Sequence, residues 1–171
     1  RQPTCKVVPY LKRPSDNKID NLSLQEALAF SNLVFEDELH TRNVKIYEND
    51  HIHEIYTNSH PKEDLPHLVM LHGFGGTALT YIRTFEHLKE HYQVHALDTF
   101  GVGLSSLGNF SEKFTHEETK HYFVDAVEEW RKAVGIKKFT LVGHSFGGYK
   151  AAFIAKNTLD MSKDDIVIPC W

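Results

Sequence analysis

Two short stretches carry residue types that could do chemistry together. Gly143-His144-Ser145-Phe146-Gly147 matches G-x-S-x-G and runs straight on into Gly148. A β-prone run, Phe139 to Val142, precedes it, and a helix-prone stretch, Tyr149 to Lys156, follows. A serine at the apex of a tight strand-to-helix turn is exposed and held in a strained backbone conformation, which is the setting of a nucleophile. Gly143 and Gly147 provide room where chain segments approach closely, and the helix aims its first N–H groups at the reaction centre. Ser145 is therefore the expected nucleophile.

Attack by a serine on a carbonyl creates an oxyanion, which needs fixed hydrogen-bond donors. The N–H of Phe146, next after the serine, is the first expected donor. The second stretch, His72-Gly73-Phe74-Gly75-Gly76, follows a buried-type strand, His67 to Leu71, and offers the N–H of Phe74, with Gly75 as the fallback. His72, Gly73 and Gly75 are expected to support this loop. Asp98, ahead of a glycine-rich turn that lacks a phosphate-loop lysine, is expected to hold its own loop through backbone hydrogen bonds. His144 adjoins the nucleophile, so its side chain diverges from it; packing or a loop hydrogen bond is its expected role, because a base must reach the serine from a separate loop. His51 and His53 share one strand face but lack further ligands at metal-binding spacing, so no metal or other cofactor is expected.

The elements that must position these residues alternate between strand and helix. Residues 1–22 are polar and interrupted by Pro3, Pro9 and Pro14, and are expected to form an extended arm. Ser23 to Leu39 reads as a helix that opens on a Ser23/Glu26 capping box. Asn43 to Glu48 and His51 to Thr57 read as two short strands about an Asn49-Asp50 turn. Helix is expected over Thr80 to Glu90, strand over Tyr92 to Leu97, and a long helix from His116 to Val134 that Gly135 stops. Trp130 is expected to pack beneath the charge-rich end of that helix. A last strand is expected within Lys163 to Cys170. Such alternation predicts an α/β fold with a mostly parallel sheet and an N-terminal antiparallel pair.

The 171 residues suffice for one domain with a core. A net charge of -4 gives no basic footprint for nucleic acid, and no apolar run is long enough to span a bilayer. Two cysteines, Cys5 and Cys170, fit a reducing compartment, so a cytoplasmic location is expected. The first residue is Arg1, which leaves room for an upstream targeting segment.

With LVMLHGFGG, ALDTFGVGLSS, VEEWRKAVGI and FTLVGHSFGGY in place, the chain from about Leu24 to Lys156 resembles α/β-hydrolases of the abhydrolase-domain 4/5 group. That group comprises lysophospholipase-like enzymes, lipid-droplet lipase coactivators and plant-type relatives. The resemblance implies a serine hydrolase or acyltransferase acting on lipid esters such as lysophospholipids, located in the cytoplasm or at the periphery of lipid droplets or membranes. It also implies an alternative, a non-catalytic module that binds a lipase or a lipid surface. Some coactivators carry asparagine where this chain has Ser145, so the serine favours catalysis. Epoxide or haloalkane hydrolysis wants an aspartate there.

The family's triad runs Ser, then Asp or Glu, then His. Only 26 residues follow Ser145, none of them histidine, and Asp160, Asp164 and Asp165 stand too near to be the acid. The expectation is that residues 23–171 form the N-terminal part of one α/β-hydrolase domain, without its later strands and lid. Such a piece is expected to be weakly stable. A single cooperative calorimetric transition with a high midpoint would overturn that expectation.

Overall fold

The computed structural model describes residues 39–57, 65–157 and 166–167. Its strands are β1 (Leu39–Lys45), β2 (His51–Thr57), β3 (His67–Leu71), β4 (Gln93–Leu97), β5 (Phe139–Gly143) and β6 (Ile166–Val167). They form one sheet in the order β1-β2-β4-β3-β5-β6. The β1–β2 and β2–β4 pairings are antiparallel; β4–β3, β3–β5 and β5–β6 are parallel. The helices are α1 (Phe85–Leu88), α2 (His116–Val134) and α3 (Phe146–Asn157), with a 3-10 segment at Ala78–Thr84.

The uninterrupted apolar run of β3 follows from cover on both faces of the sheet. Val69 and Leu71 join Leu97, Leu141, Trp130 and Ile154 in one core. Leu68 and Met70, offset by one residue, join Val94, Ala96, Tyr81 and Phe85 in the other. This alternation aims the C-terminal ends of β3 and β5 at the same edge, where their parallel register pairs Leu71 with Gly143.

The helix α2 has the expected bounds. Thr115 and Glu118 make a reciprocal capping box at its start, and Gly135 ends it at φ 77. The expected helix over Thr80 to Glu90 is instead the 3-10 segment followed by one α-helical turn. Tertiary ties explain the tightening: the Ala78 N–H donates to Asp98 Oδ1 and the Tyr81 hydroxyl to the Leu71 carbonyl. β-branched Thr80, Ile82 and Thr84 add little helical preference against those ties. Strand β1 begins at Leu39 and ends at Lys45, earlier than the expected Asn43 to Glu48, because Leu39 pairs with Thr57 and extends the ladder over all of β2. Leu39, expected to close a helix, opens a strand. The rest of that helix and the N-terminal arm lie outside the described residues.

A buried carboxylate joins the antiparallel part of the sheet to α2. Glu54 of β2 is fully buried and accepts the Trp130 indole N–H at 2.8 Å. Arg42 of β1 pairs with its other oxygen. His95 Nδ1 of β4 stands 3.5 Å from Glu54 Oε2, which is close in space but beyond good hydrogen-bond geometry. Replacing Trp130 with Phe keeps most of the apolar bulk but leaves a buried carboxylate oxygen without its donor. The expected loss is about 2–4 kcal/mol in urea unfolding at neutral pH. A loss under about 0.5 kcal/mol, the range of ordinary surface changes, would show that this bond contributes nothing net.

Candidate active site

Strand β5 ends at Gly143 and α3 begins at Phe146, so His144 and Ser145 make the turn. Ser145 has φ 52 and is the one non-glycine residue with positive φ among the described residues. A left-handed conformation at such a residue costs on the order of 1–2 kcal/mol and persists only where its surroundings hold it. Three backbone bonds do so here. The His144 N–H donates to the Leu71 carbonyl at 3.1 Å, Gly147 to His144 at 2.8 Å and Tyr149 to Ser145 at 3.2 Å.

The glycines of the turn stand where no side chain fits. A Cβ on Gly143 would lie 2.3 Å from the carbonyl of Gly147, and one on Gly147 would lie 2.0 Å from the Leu71 oxygen. The loop after β3 packs directly on this turn. A Cβ on Gly73 would come 2.8 Å from His144 Nδ1 and 3.2 Å from Ser145 Cβ. Gly75 differs in kind: a Cβ there would touch nothing, but its φ of 70 favours glycine. The Phe74 side chain is 94% exposed, whereas that of Phe146 is half-buried. Ser145 and His144 are exposed.

Two buried polar groups tie these loops to the sheet. His72 Nδ1 donates to the Gly73 carbonyl at 2.8 Å, which leaves Nε2 to accept the Thr99 N–H at 3.1 Å. Burial holds this imidazole below its ordinary pKa, which fits the neutral form that such bonding requires. Asp98 accepts Ala78 N–H on one oxygen and Leu104 N–H on the other, each at 2.7 Å, so it joins two loops. His51 and His53 are engaged apart from this site, His51 with Ser106 and Leu104 and His53 with Asn43. Among the described residues no group of three His, Cys, Asp or Glu side chains could hold a metal.

A cavity of about 530 Å³ opens between α2 and α3, with Ser145 on its wall. Aromatic rings of Phe123, Phe146, Tyr149 and Phe153 form much of its surface. Its basic residues are His116, Lys120 and Lys150, none of which the motifs single out. The signal for Lys150 was nevertheless present. It stands four residues after Phe146 and four before Ile154, on the inward stripe of α3.

Lys150 is 4% exposed, donates to Thr99 Oγ1 at 3.0 Å, and lies 4.8 Å from the centre of the Phe146 ring. Burial pushes its amine down to about 7. The unfolded chain, with an ordinary lysine pKa near 10.4, then carries more protons than the folded one between about pH 7 and pH 10. Stability therefore rises with pH across that window and the full penalty applies below it. The lowered pKa values of buried His53 and His72 and of half-buried His67 act in the same direction below their ordinary value. Replacement of Lys150 by Met is expected to stabilise by about 1–4 kcal/mol at pH 6.5 and to flatten the rise above pH 7. An unchanged urea midpoint between pH 7 and 9.5 in the native protein would overturn this.

Comparison with known proteins agrees with this architecture. The family model described as alpha/beta hydrolase fold matches residues 66–160. The 1-acylglycerol-3-phosphate O-acyltransferase of Arabidopsis thaliana is 47% identical over 91 residues, 53% of this chain and 22% of that protein. The human 1-acylglycerol-3-phosphate O-acyltransferase ABHD5 is 40% identical over 94 residues, 55% of this chain and 26% of that protein. The matched stretch thus spans about a quarter of those relatives' length. A CIB-like hydrolase from Thermoplasma acidophilum superposes with a TM-score of 0.62 at 20% identity, over 78% of this chain and 64% of its own, a likeness of fold. The family match spans more than half of the chain, including both glycine loops and the turn at Ser145, and the chain belongs to the alpha/beta hydrolase fold family.

Proposed function

We propose that the protein uses Ser145 as the nucleophile of acyl-ester chemistry on a lipid, passing the acyl group to water or to an alcohol. The observation that carries this reading is the backbone of Ser145: a strained φ of 52 at a strand-to-helix turn, facing a largely aromatic cavity. Attack of Oγ on the ester carbonyl forms the acyl-serine and breaks the bond to the leaving alcohol, which gains the serine proton in the net reaction. The Phe146 and Phe74 N–H groups are the proposed donors to the oxyanion. Neither donates to a backbone carbonyl in the turns and loops of the described residues, and the contact of Gly73 with the Ser145 turn brings their loops together. The names of the plant and human relatives support a lipid acyl group as the moiety handled. Phe123, Phe146 and Phe153 offer such a chain an apolar wall.

A fluorophosphonate probe tests this directly, because it reacts with an activated serine without needing the natural substrate. Labelling of the native protein is expected, with none in Ser145→Ala. Gly147→Ala is expected to lose labelling too, since its Cβ would displace the Leu71 carbonyl from the turn. A folded native sample that stays unlabelled, or labelling that persists in Ser145→Ala, would overturn the assignment.

A further inference from the structure

The planar peptide unit that offers the Phe74 N–H also carries the Gly73 carbonyl, so whatever fixes the oxygen also aims the N–H. Both lone pairs of the Gly73 oxygen have a donor: His72 Nδ1 at 2.8 Å and the Gly76 N–H at 3.2 Å. His72 is itself held from behind by Thr99, whose N–H and hydroxyl oxygen each lie 3.1 Å from Nε2. Thr99 Oγ1 in turn accepts from the Lys150 ammonium at 3.0 Å.

Donor chemistry gives this run of bonds a direction. An ammonium has protons and no lone pair, so Thr99 Oγ1 must accept from Lys150. The one hydroxyl proton is then left for His72 Nε2, which must be bare to receive it. The imidazole proton therefore sits on Nδ1, where it meets the Gly73 carbonyl. A hydrogen bond from a cation is stronger than a neutral one, and each bond in a buried chain polarises the next. Lys150, Thr99 and His72 are all buried, so little water screens the run. Lys150 also acts on His72 through space. Burial holds this imidazole below its ordinary pKa and the Lys150 charge adds to that, against the Gly73 bond and the Asp98 charge, which raise it. A second proton would sit on Nε2 and confront the Thr99 N–H.

We propose that Lys150 is a positioning residue for the loop after β3: through the Thr99 hydroxyl and His72 it fixes and polarises the Gly73–Phe74 peptide unit. This role rests on the reading of Phe74 as an oxyanion donor, and it requires no contact between Lys150 and a ligand. Gly73 packs against the turn at Ser145, so a shift of this peptide is felt beside the nucleophile.

The test compares native protein, Lys150→Met, Thr99→Val and the double variant at pH 6.5. It reads the kinetics of fluorophosphonate labelling and the NMR signals of the His72 imidazole and the Phe74 amide. The double variant replaces both partners by apolar groups of similar shape, so it keeps the comparison open where a single variant fails to fold. The inactivation rate constant is expected to fall about tenfold in each single variant, less than loss of a whole oxyanion donor, with probe binding within about twofold. The double variant is expected to be no slower than the slower single one, because both substitutions break the same run. Thr99→Ser, which keeps the hydroxyl, should recover most of what Thr99→Val loses. His72 should titrate at higher pH in Lys150→Met, and the Phe74 amide signal should move in all three apolar variants. Losses that multiply in the double variant overturn the proposal, as does an unchanged inactivation rate in folded Lys150→Met. If native Ser145 takes no label, the serine chemistry falls and the NMR signals decide alone. A Phe74 amide that moves in Lys150→Met then supports the link from Lys150 to this peptide, and one that stays overturns it.

Discussion

The candidate site depends on one contact between two stretches of backbone. The start of α3 approaches the last residue of β3 so closely that a methyl group on Gly147 would stand 2.0 Å from the Leu71 carbonyl oxygen. That oxygen also accepts the His144 N–H and the Tyr81 hydroxyl. The turn bearing Ser145, the 3-10 segment and the glycine loop after β3 are therefore referenced to a single carbonyl at the end of a central strand. A glycine at 147, like the one at 73, removes side-chain atoms that would hold these segments apart. The parallel register of β3 and β5 then sets both loops at one edge of the sheet.

Around this contact the polar groups form a continuous chain. Lys150 donates to the Thr99 hydroxyl, the Thr99 N–H donates to His72, and His72 donates to the Gly73 carbonyl. Helix α3 is thereby linked to the glycine loop through the end of β4. Each member depends on its neighbour's protonation state: the neutral tautomer of His72 is needed for its acceptor nitrogen, and the Lys150 charge disfavours a second positive charge there. Asp98 fixes the flanking loops without sharing in this chain, since both its oxygens accept backbone N–H groups.

Much of this arrangement was legible in the residues because it rests on local rules. Strand, G-x-S-x-G and helix follow one another directly, and the need for glycine at 143 and 147 follows from the turn they flank. The bounds of α2 were legible from Gly135 and from a long run without breakers. What escaped was decided at a distance. Ala78 to Thr84 lost its α-helical form to bonds with Asp98 and Leu71, which no local pattern encodes. Leu39 took a strand conformation because β2 offered it a partner at Thr57. No motif singles out Lys150, and the packing of α3 on α2 makes it a cavity residue.

The left-handed backbone of Ser145 also has a meaning for local stability. Its conformational energy is stored in the fold and released when the bonds around His144, Gly147 and Tyr149 open, so relaxation of this turn is favoured over that of its neighbours. A strand end and a helix start that are each well held thus enclose a residue inclined to leave its position. The amides of residues 144 to 149 are accordingly where a local opening would release that energy.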